Sequence, residues 1–193
     1  MKYPRLLPLL LAFGLVACGR GEIRPGVSDV TGSVPPLQFV MTRANDVRTV
    51  DANAYRGKAV ALYFGYTHCP DECPTTLANL ASALQALGPR AKDVRILFVT
   101  VDPARDTLPV LKAYVSSFAP EIDGLRGTDD QIARLARRYR VLYRVTQASK
   151  GEGEQVVHSS ATFFFDRSGR ARLVMMNTAD AKAVAADIGG LLR

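Results

Sequence analysis

Two cysteines four residues apart, Cys69 and Cys73, lie in the run Thr-His-Cys-Pro-Asp-Glu-Cys-Pro. The chain contains one other cysteine, Cys18, and two histidines, His68 and His158. Thiolate and imidazole are the ligands that soft and borderline metals prefer, and paired thiols can also exchange electrons by forming a disulfide. The sequence therefore predicts a metal site or a redox-active pair at this motif.

A metal bound by two thiolates needs a third ligand, and His158 is the better candidate. His68 adjoins Cys69, so its side chain cannot converge on the same ion without strain, and we predict that it acts from outside the coordination sphere. His158 precedes an apolar run that predicts a strand. Two thiolates and an imidazole suit trigonal Cu(I), and a water or carbonyl would complete the coordination of Cu(II).

Zinc remains an alternative, because Asp71, Glu72 or Asp102 could supply the fourth ligand that it requires. Met175 and Met176 are also soft, but neighbouring residues of a strand point to opposite faces, and we predict packing roles for both. In a helix the CxxxC spacing would separate the two Cβ atoms by about 5–6 Å, whereas a relaxed disulfide has about 3.8 Å. This spacing favours a metal and leaves a disulfide feasible.

The N-terminus has the pattern of an export signal. Lys2 and Arg5 precede an apolar run that ends in Leu-Val-Ala-Cys18, which predicts a lipoprotein signal peptide over 1–17 with Cys18 as the lipidated first residue. An ordinary signal peptide or an uncleaved anchor is the alternative. We expect the protein in the bacterial cell envelope, facing the periplasm or the outer face of the cytoplasmic membrane, where conditions are oxidising.

Composition divides the remaining chain into a tether and one domain. Residues 18–36 are rich in Gly, Pro, Ser and charge and predict a flexible tether, and 37–193 has the length of a single domain. The formal net charge of +7 is modest, and nucleic acid is not expected as a partner of an exported protein. Basic residues cluster at helical spacing, which predicts a solvated helix face or, alternatively, a docking surface for an acidic partner or anionic lipid. These residues are Arg134, Arg137, Arg138, Arg140 and Arg144.

Hydrophobic periodicity predicts an α/β fold with a central mixed sheet flanked by helices. The predicted elements are strands at 59–66 and 94–101, helices at 75–87, 108–118 and 129–139, a hairpin of 161–166 with 171–176, and a last helix at 179–192. The CxxxC motif then lies at the carboxyl end of the first buried strand, where ligands bind in open α/β sheets. Cys73 falls near a helix N-terminus, and we expect the dipole there to favour thiolate at both sulfurs.

Three separated motifs together resemble the Sco/SenC family of copper-binding, thioredoxin-like proteins. They are Gly65–Pro74, Val101–Thr107 and the run Val-His-Ser-Ser at 157–160, and the likeness extends from about Leu37 to the C-terminus. The resemblance implies a thioredoxin-like fold with copper bound by Cys69, Cys73 and His158. It also implies a membrane-tethered domain that assists assembly of the dinuclear copper centre of cytochrome c oxidase. The partner would be the copper-bearing oxidase subunit or another copper chaperone.

The chain departs from disulfide-exchanging thioredoxin folds at Ser160-Ala161-Thr162, where those proteins usually carry a cis-proline. This weakens the case for general thiol-disulfide catalysis. Asp102, Arg105 and Asp106 match the second family motif and predict a turn with a salt bridge or, alternatively, residues that orient the copper loop from outside the coordination sphere, with Asp102 the leading candidate. We therefore expect a metallochaperone rather than an enzyme, and a monomer. A thiol-disulfide oxidoreductase, redox sensor or oxidative-defence protein that uses the same cysteines is the alternative.

Overall fold

The computed structural model describes residues 25–146, 155–158 and 160–193, with side chains for 25–144 and 160–193. Ten strands and four α-helices lie in these ranges. The strands are β1 (Val27–Asp29), β2 (Val40–Arg43), β3 (Arg48–Asp51), β4 (Ala59–Gly65), β5 (Val94–Thr100), β6 (Ile122–Arg126), β7 (Tyr143–Thr146), β8 (Gln155–His158), β9 (Thr162–Phe165) and β10 (Ala171–Met175). The helices are α1 (Glu72–Leu87), α2 (Leu108–Ser116), α3 (Asp129–Arg138) and α4 (Ala181–Leu191). No helix within these ranges is long and apolar enough to cross a bilayer.

Eight of the strands form one mixed sheet in the order β1-β10-β9-β4-β5-β6-β2-β3. The central strands β4, β5 and β6 are parallel, and the outer pairings are antiparallel. Every residue of β4 is buried, as expected for a strand covered on both faces. β7 and β8 form a separate two-stranded antiparallel hairpin.

Helices cover both faces of the sheet. On one face, α1 packs against α4, and the Tyr114 ring of α2 lies 5.5 Å from the Phe98 ring of β5. On the other face, the Tyr139 ring that follows α3 contacts Phe163 and Phe165, with centroids 5.4 and 5.6 Å apart. The predicted α/β class with a helix-flanked mixed sheet is confirmed.

The buried elements lie close to their predicted bounds, and the differences concern short segments at the edges. α1 begins at Glu72, three residues before the predicted start at Thr75. α3 begins after Thr128, whose side chain accepts from Gln131 in a capping box. The edge strand β1 lies within the segment predicted as a tether, where it pairs with β10. Strands of three to five residues, such as β1 and β6, are too short to carry a clear period in the sequence.

Candidate metal centre

The CxxxC loop leaves the carboxyl end of β4, and Gly65 at that end allows a close approach. A Cβ atom on Gly65 would lie 2.8 Å from the Cys73 Sγ and 2.5 Å from the Phe98 Cε2. Both distances are shorter than van der Waals contact, so any larger residue would displace the sulfur or the ring. The last residue of the central strand is therefore a glycine because the thiol of α1 packs directly against it.

The two thiols are already adjacent to each other. The Cys73 backbone N–H donates to the Cys69 Sγ at 3.2 Å, and the Cys69 N–H donates to the Tyr66 carbonyl at 3.3 Å. Neither cysteine forms a disulfide within the described part of the chain. Cys73 is completely buried and Cys69 is half-buried, so one sulfur faces the interior and the other lies nearer to solvent.

Burial sets the protonation of Cys73. Desolvation raises the pKa of its thiol well above the ordinary value of 9.0, and the neighbouring Cys69 sulfur raises it further. The expectation that the helix N-terminus favours thiolate at both sulfurs is therefore wrong for Cys73, because the dipole is outweighed by the loss of water around a buried sulfur. A metal that binds here has to displace the Cys73 proton.

Asp106 anchors the start of the cysteine loop to the end of β5. Its buried carboxylate accepts from the Thr67 N–H at 3.0 Å, the Thr67 hydroxyl at 2.6 Å and the Thr100 hydroxyl at 2.6 Å. From the sequence, Asp106 was one of three residues of the second family motif, with Asp102 and Arg105, that could orient the copper loop. The available signal was its position six residues after Thr100, just past a buried strand.

Asp102, the predicted supporting carboxylate, acts less directly. It forms the expected ion pair with Arg105 in the turn after β5. The Arg105 guanidinium lies 5.9 Å from the centroid of the Tyr66 ring, at the start of the cysteine loop. Arg126 secures the same turn by donating to the Pro103 carbonyl at 2.8 Å and the Asp106 carbonyl at 3.2 Å. The ion pair within the turn and the hydrogen bonds from Arg126 therefore both stabilise the turn after β5.

Three tyrosines line the thiol pair, and the sequence analysis did not identify them. Burial raises the pKa of Tyr63, Tyr66 and Tyr114, and the nearby cysteine sulfurs raise it further in each case. The Tyr114 hydroxyl is buried and makes no hydrogen bond to any described residue. These phenols stay neutral and surround the sulfurs with aromatic carbon. The run Leu-Tyr-Phe-Gly-Tyr before the motif contains Tyr63 and Tyr66, whereas Tyr114 lies in α2 and reaches the thiols only through the fold.

The other predicted residues take peripheral positions. The His68 side chain is 55% exposed, with its Nδ1 3.1 Å from the Thr67 hydroxyl and 3.7 Å from the Asp106 carboxylate. Asp71 and Glu72 are exposed at the helix start. Met175 is fully buried in the core, whereas Met176 is 52% exposed and does not pack there as predicted. Among the described side chains, no group of three or more His, Cys, Asp or Glu residues is placed to bind a metal.

His158 ends β8, where its backbone pairs with Tyr143. Its side chain is outside the described set, so the three-ligand site stays a prediction. Four residues further along, Thr162 pairs with Tyr63, close to the end of β4. The hairpin therefore leads into the same edge of the sheet from which the cysteine loop leaves. The Ser160-Ala161-Thr162 segment has no proline, and no peptide bond in the described ranges is cis.

Solved structures with the same fold include copper-bound proteins. A structure of Bradyrhizobium japonicum ScoI with copper bound is 33% identical, with a TM-score of 0.74, covering 82% of this chain and 99% of that chain. A structure of yeast Sco1 with copper bound is 30% identical, with a TM-score of 0.73, covering 81% of this chain and 87% of that one. The thioredoxin-like fold predicted from the resemblance is confirmed.

Comparisons of the amino-acid sequence also find Sco proteins. The bovine mitochondrial SCO2 homolog is 41% identical over 117 residues, which are 60% of this chain and 44% of that protein. A SCO2-like protein of Rickettsia prowazekii is 36% identical over 121 residues, 62% of this chain and 59% of that protein. These matches thus span about half the length of the relatives. The profile of the SCO1/SenC family matches residues 35–193, and this chain belongs to that family.

Proposed function

We propose that this protein is a copper chaperone that binds copper through Cys69, Cys73 and His158 and passes the ion to an acceptor protein. The observation that carries the proposal is the thiol pair itself, in which Cys69 accepts a hydrogen bond from Cys73 and Cys73 packs on Gly65. Relatives with this fold were solved with copper bound. Soft sulfur donors at a preformed site are suited to Cu(I).

The unequal burial of the two sulfurs supports an order of exchange. Cys69 is the more accessible sulfur, so an acceptor thiolate would reach the copper from its side and replace it first. Cys73 lies buried behind it and would release the ion last, taking up a proton as it returns to the neutral thiol that burial favours. Transfer by ligand exchange in this order never leaves the copper without a sulfur ligand.

The acceptor in this proposal is the copper-bearing subunit of cytochrome c oxidase, whose dinuclear copper centre the protein would help to assemble. One structural neighbour is described as a member of the Sco family of cytochrome c oxidase assembly proteins, and at 20% identity it supports the fold alone. Lipid on Cys18 would hold the domain at the envelope membrane, facing the periplasm. Both the acceptor and the anchor rest on the family and on the sequence pattern.

Anaerobic copper titration of the reduced protein tests the ligand set. The wild type should bind one equivalent of copper and, with Cu(II), develop a strong thiolate-to-copper absorption band. Cys69→Ser and Cys73→Ser should bind much more weakly with a strongly reduced band, and His158→Ala should bind more weakly with a shifted band. His68→Ala, which changes the histidine beside the motif, is the matched control and should bind as the wild type does. Unchanged binding in His158→Ala would rule out the three-ligand site.

A thiol-disulfide oxidoreductase is the second candidate, because the same adjacency of Cys69 and Cys73 also suits disulfide chemistry. Turnover of a disulfide substrate separates the two functions. An oxidoreductase should lose turnover in Cys73→Ser and keep it in His158→Ala. A copper chaperone should restore cytochrome c oxidase activity to a deletion strain only when all three ligands are present.

A further inference from the structure

The segment that leads from α3 into β7 presents arginines around one protruding leucine. Leu142 is 82% exposed, and Arg137, Arg140 and Arg144 are exposed on either side of it in the chain. We call these four residues the Arg-Leu surface. A single exposed leucine is ordinary, but one set among cations combines two chemistries that a ligand could use together.

The arginines of this surface have no acidic partners in the described part of the chain. Arg137, Arg140 and Arg144 form no ion pair with any carboxylate there. The acidic residues of α3, Asp129 and Asp130, occupy its first turn, roughly 10–12 Å along the axis from Arg137 at about 1.5 Å per residue. The positive charge at the C-terminal end of α3 is therefore left unneutralised by its own helix.

Arg140 also occupies a backbone conformation that favours glycine. Its φ is +55°, and it ends α3 in the position where the Val141 N–H donates to the Ala136 carbonyl at 2.8 Å. Glycine is the usual residue at this position of a helix C-terminus because it has no Cβ to clash. An arginine there lowers stability relative to glycine, and backbone strain of this kind is typical of positions with a role outside folding.

We propose that the Arg-Leu surface binds anionic phospholipid headgroups, so that the domain lies against the membrane that its tether would hold. Guanidinium groups pair with phosphate through two parallel hydrogen bonds, and a leucine between them can enter the acyl boundary. An interface with an acidic protein would need a contiguous apolar core, whereas Leu142 is isolated among charges. The chemistry fits a lipid surface better.

The length of the chain before the fold agrees with this arrangement. From Cys18 to Pro25 there are seven residues, which span at most about 25 Å when fully extended. β1 then begins at Val27, which pairs with Met175 at the edge of the sheet that also bears the cysteine loop. A lipid on Cys18 would thus keep this edge close to the bilayer.

The proposal deepens the proposed function, on which it rests for the role of His158. Tyr143 pairs with His158 and Arg144 pairs with Val157, so the Arg-Leu surface runs directly into the hairpin that carries the predicted copper ligand. Docking on headgroups would hold that hairpin at the membrane surface. A membrane-bound acceptor could then be reached by diffusion in two dimensions.

Vesicle co-sedimentation tests the proposal with the mature chain carrying Cys18→Ser, so that neither signal nor lipid contributes. This chain retains every residue of the described fold. It should sediment with vesicles of equal parts phosphatidylglycerol and phosphatidylcholine at low salt, much less with phosphatidylcholine alone, and less again at high salt. Replacing Arg140 and Arg144 by Gln should weaken partitioning roughly fivefold for each arginine, and Leu142→Ser should weaken it several-fold. Lys182→Gln, which removes an exposed charge from α4 on the opposite face, should change it less than about twofold.

Two results would overturn the lipid assignment. One is the absence of binding to the anionic vesicles. The other is equal loss in Lys182→Gln and in the arginine variants, which would indicate a general charge effect. In the first case, binding to poly-L-glutamate would assign the surface to an acidic protein instead. Copper titration of the same variants keeps the two proposals separate, since the Arg-Leu variants should bind copper as the wild type does.

Discussion

Gly65 offers a sharp test of how the fold creates the site, because its missing side chain is the space in which the Cys73 sulfur lies. In Gly65→Ala the new Cβ would fall 2.8 Å from the Cys73 Sγ and 2.5 Å from the Phe98 Cε2. Ordinary contacts between such atoms are about 3.5–4.0 Å, so the sulfur or the alanine has to move by about 1 Å.

The expected losses follow from this displacement. Overpacking of a buried site costs about 1–3 kcal/mol, which lowers the melting temperature of a chain of this size by roughly 2–12 °C. Metal-ligand distances tolerate only about 0.2 Å, so a sulfur moved by several times that amount no longer matches its partner ligands. We expect copper affinity to fall about 10–100-fold, the range seen when supporting residues of metal sites are changed.

Gly124→Ala is the matched control. Its Cβ would lie 2.7 Å from the Leu111 Cγ, so it overpacks the core by a similar amount without contacting the thiols. Thermal unfolding and competitive Cu(I) titration of the reduced proteins give the two quantities. Both variants should lose stability, and only Gly65→Ala should lose copper affinity. Equal copper affinity in the two variants would refute the inference that Gly65 shapes the metal site.

Three further predictions follow from the structure. Asp106→Asn leaves a hydrogen-bond donor facing the donors of the loop, and it should cost about 1.5–3 kcal/mol in urea unfolding and weaken copper binding more than Asp102→Asn does. Equal effects of the two changes would argue against Asp106 as the anchor. Arg140→Gly removes a side chain from a left-handed backbone conformation and should stabilise the protein by about 1 kcal/mol. A loss of stability would contradict the inference that the backbone at Arg140 is strained. Because burial raises the folded-state pKa of Cys73 above its ordinary 9.0, the contribution of Cys73 to the unfolding free energy of the metal-free protein should be constant below that pH and fall above it, and Cys73→Ala should flatten this fall.

The sequence predicted the part of the site that is local in the chain. A fully apolar strand, a CxxxC motif with prolines and an amphipathic helix form one strand-loop-helix unit, and each piece has its own pattern. The supporting contacts are not local. Asp106 lies 39 residues from Thr67, and the contact of Gly65 with Cys73 depends on how closely α1 packs on β4. Such contacts are set by tertiary packing, which has no period in the sequence.

The pKa of the Cys73 thiol is a second property that depends on tertiary packing and has no local pattern in the sequence. The helix N-terminus was visible in the sequence, which placed Cys73 near the N-cap, and the structure places Cys73 in the first turn of α1. The burial of Cys73 was not visible in the sequence, and this burial affects the pKa of the thiol more than the helix dipole does. β7 and β8 were likewise missed, because strands of four residues are too short to show a clear hydrophobic period.

X-ray absorption spectroscopy of the copper-loaded protein tests the proposed ligand set, since it counts the atoms bound to the metal. The wild type should show two sulfur ligands and one imidazole nitrogen. His158→Ala should retain the two sulfurs and lose the imidazole signal, and Cys69→Ser and Cys73→Ser should each lose one sulfur. A wild-type spectrum with fewer than two sulfurs, or an imidazole signal that persists in His158→Ala, would contradict copper binding by Cys69, Cys73 and His158.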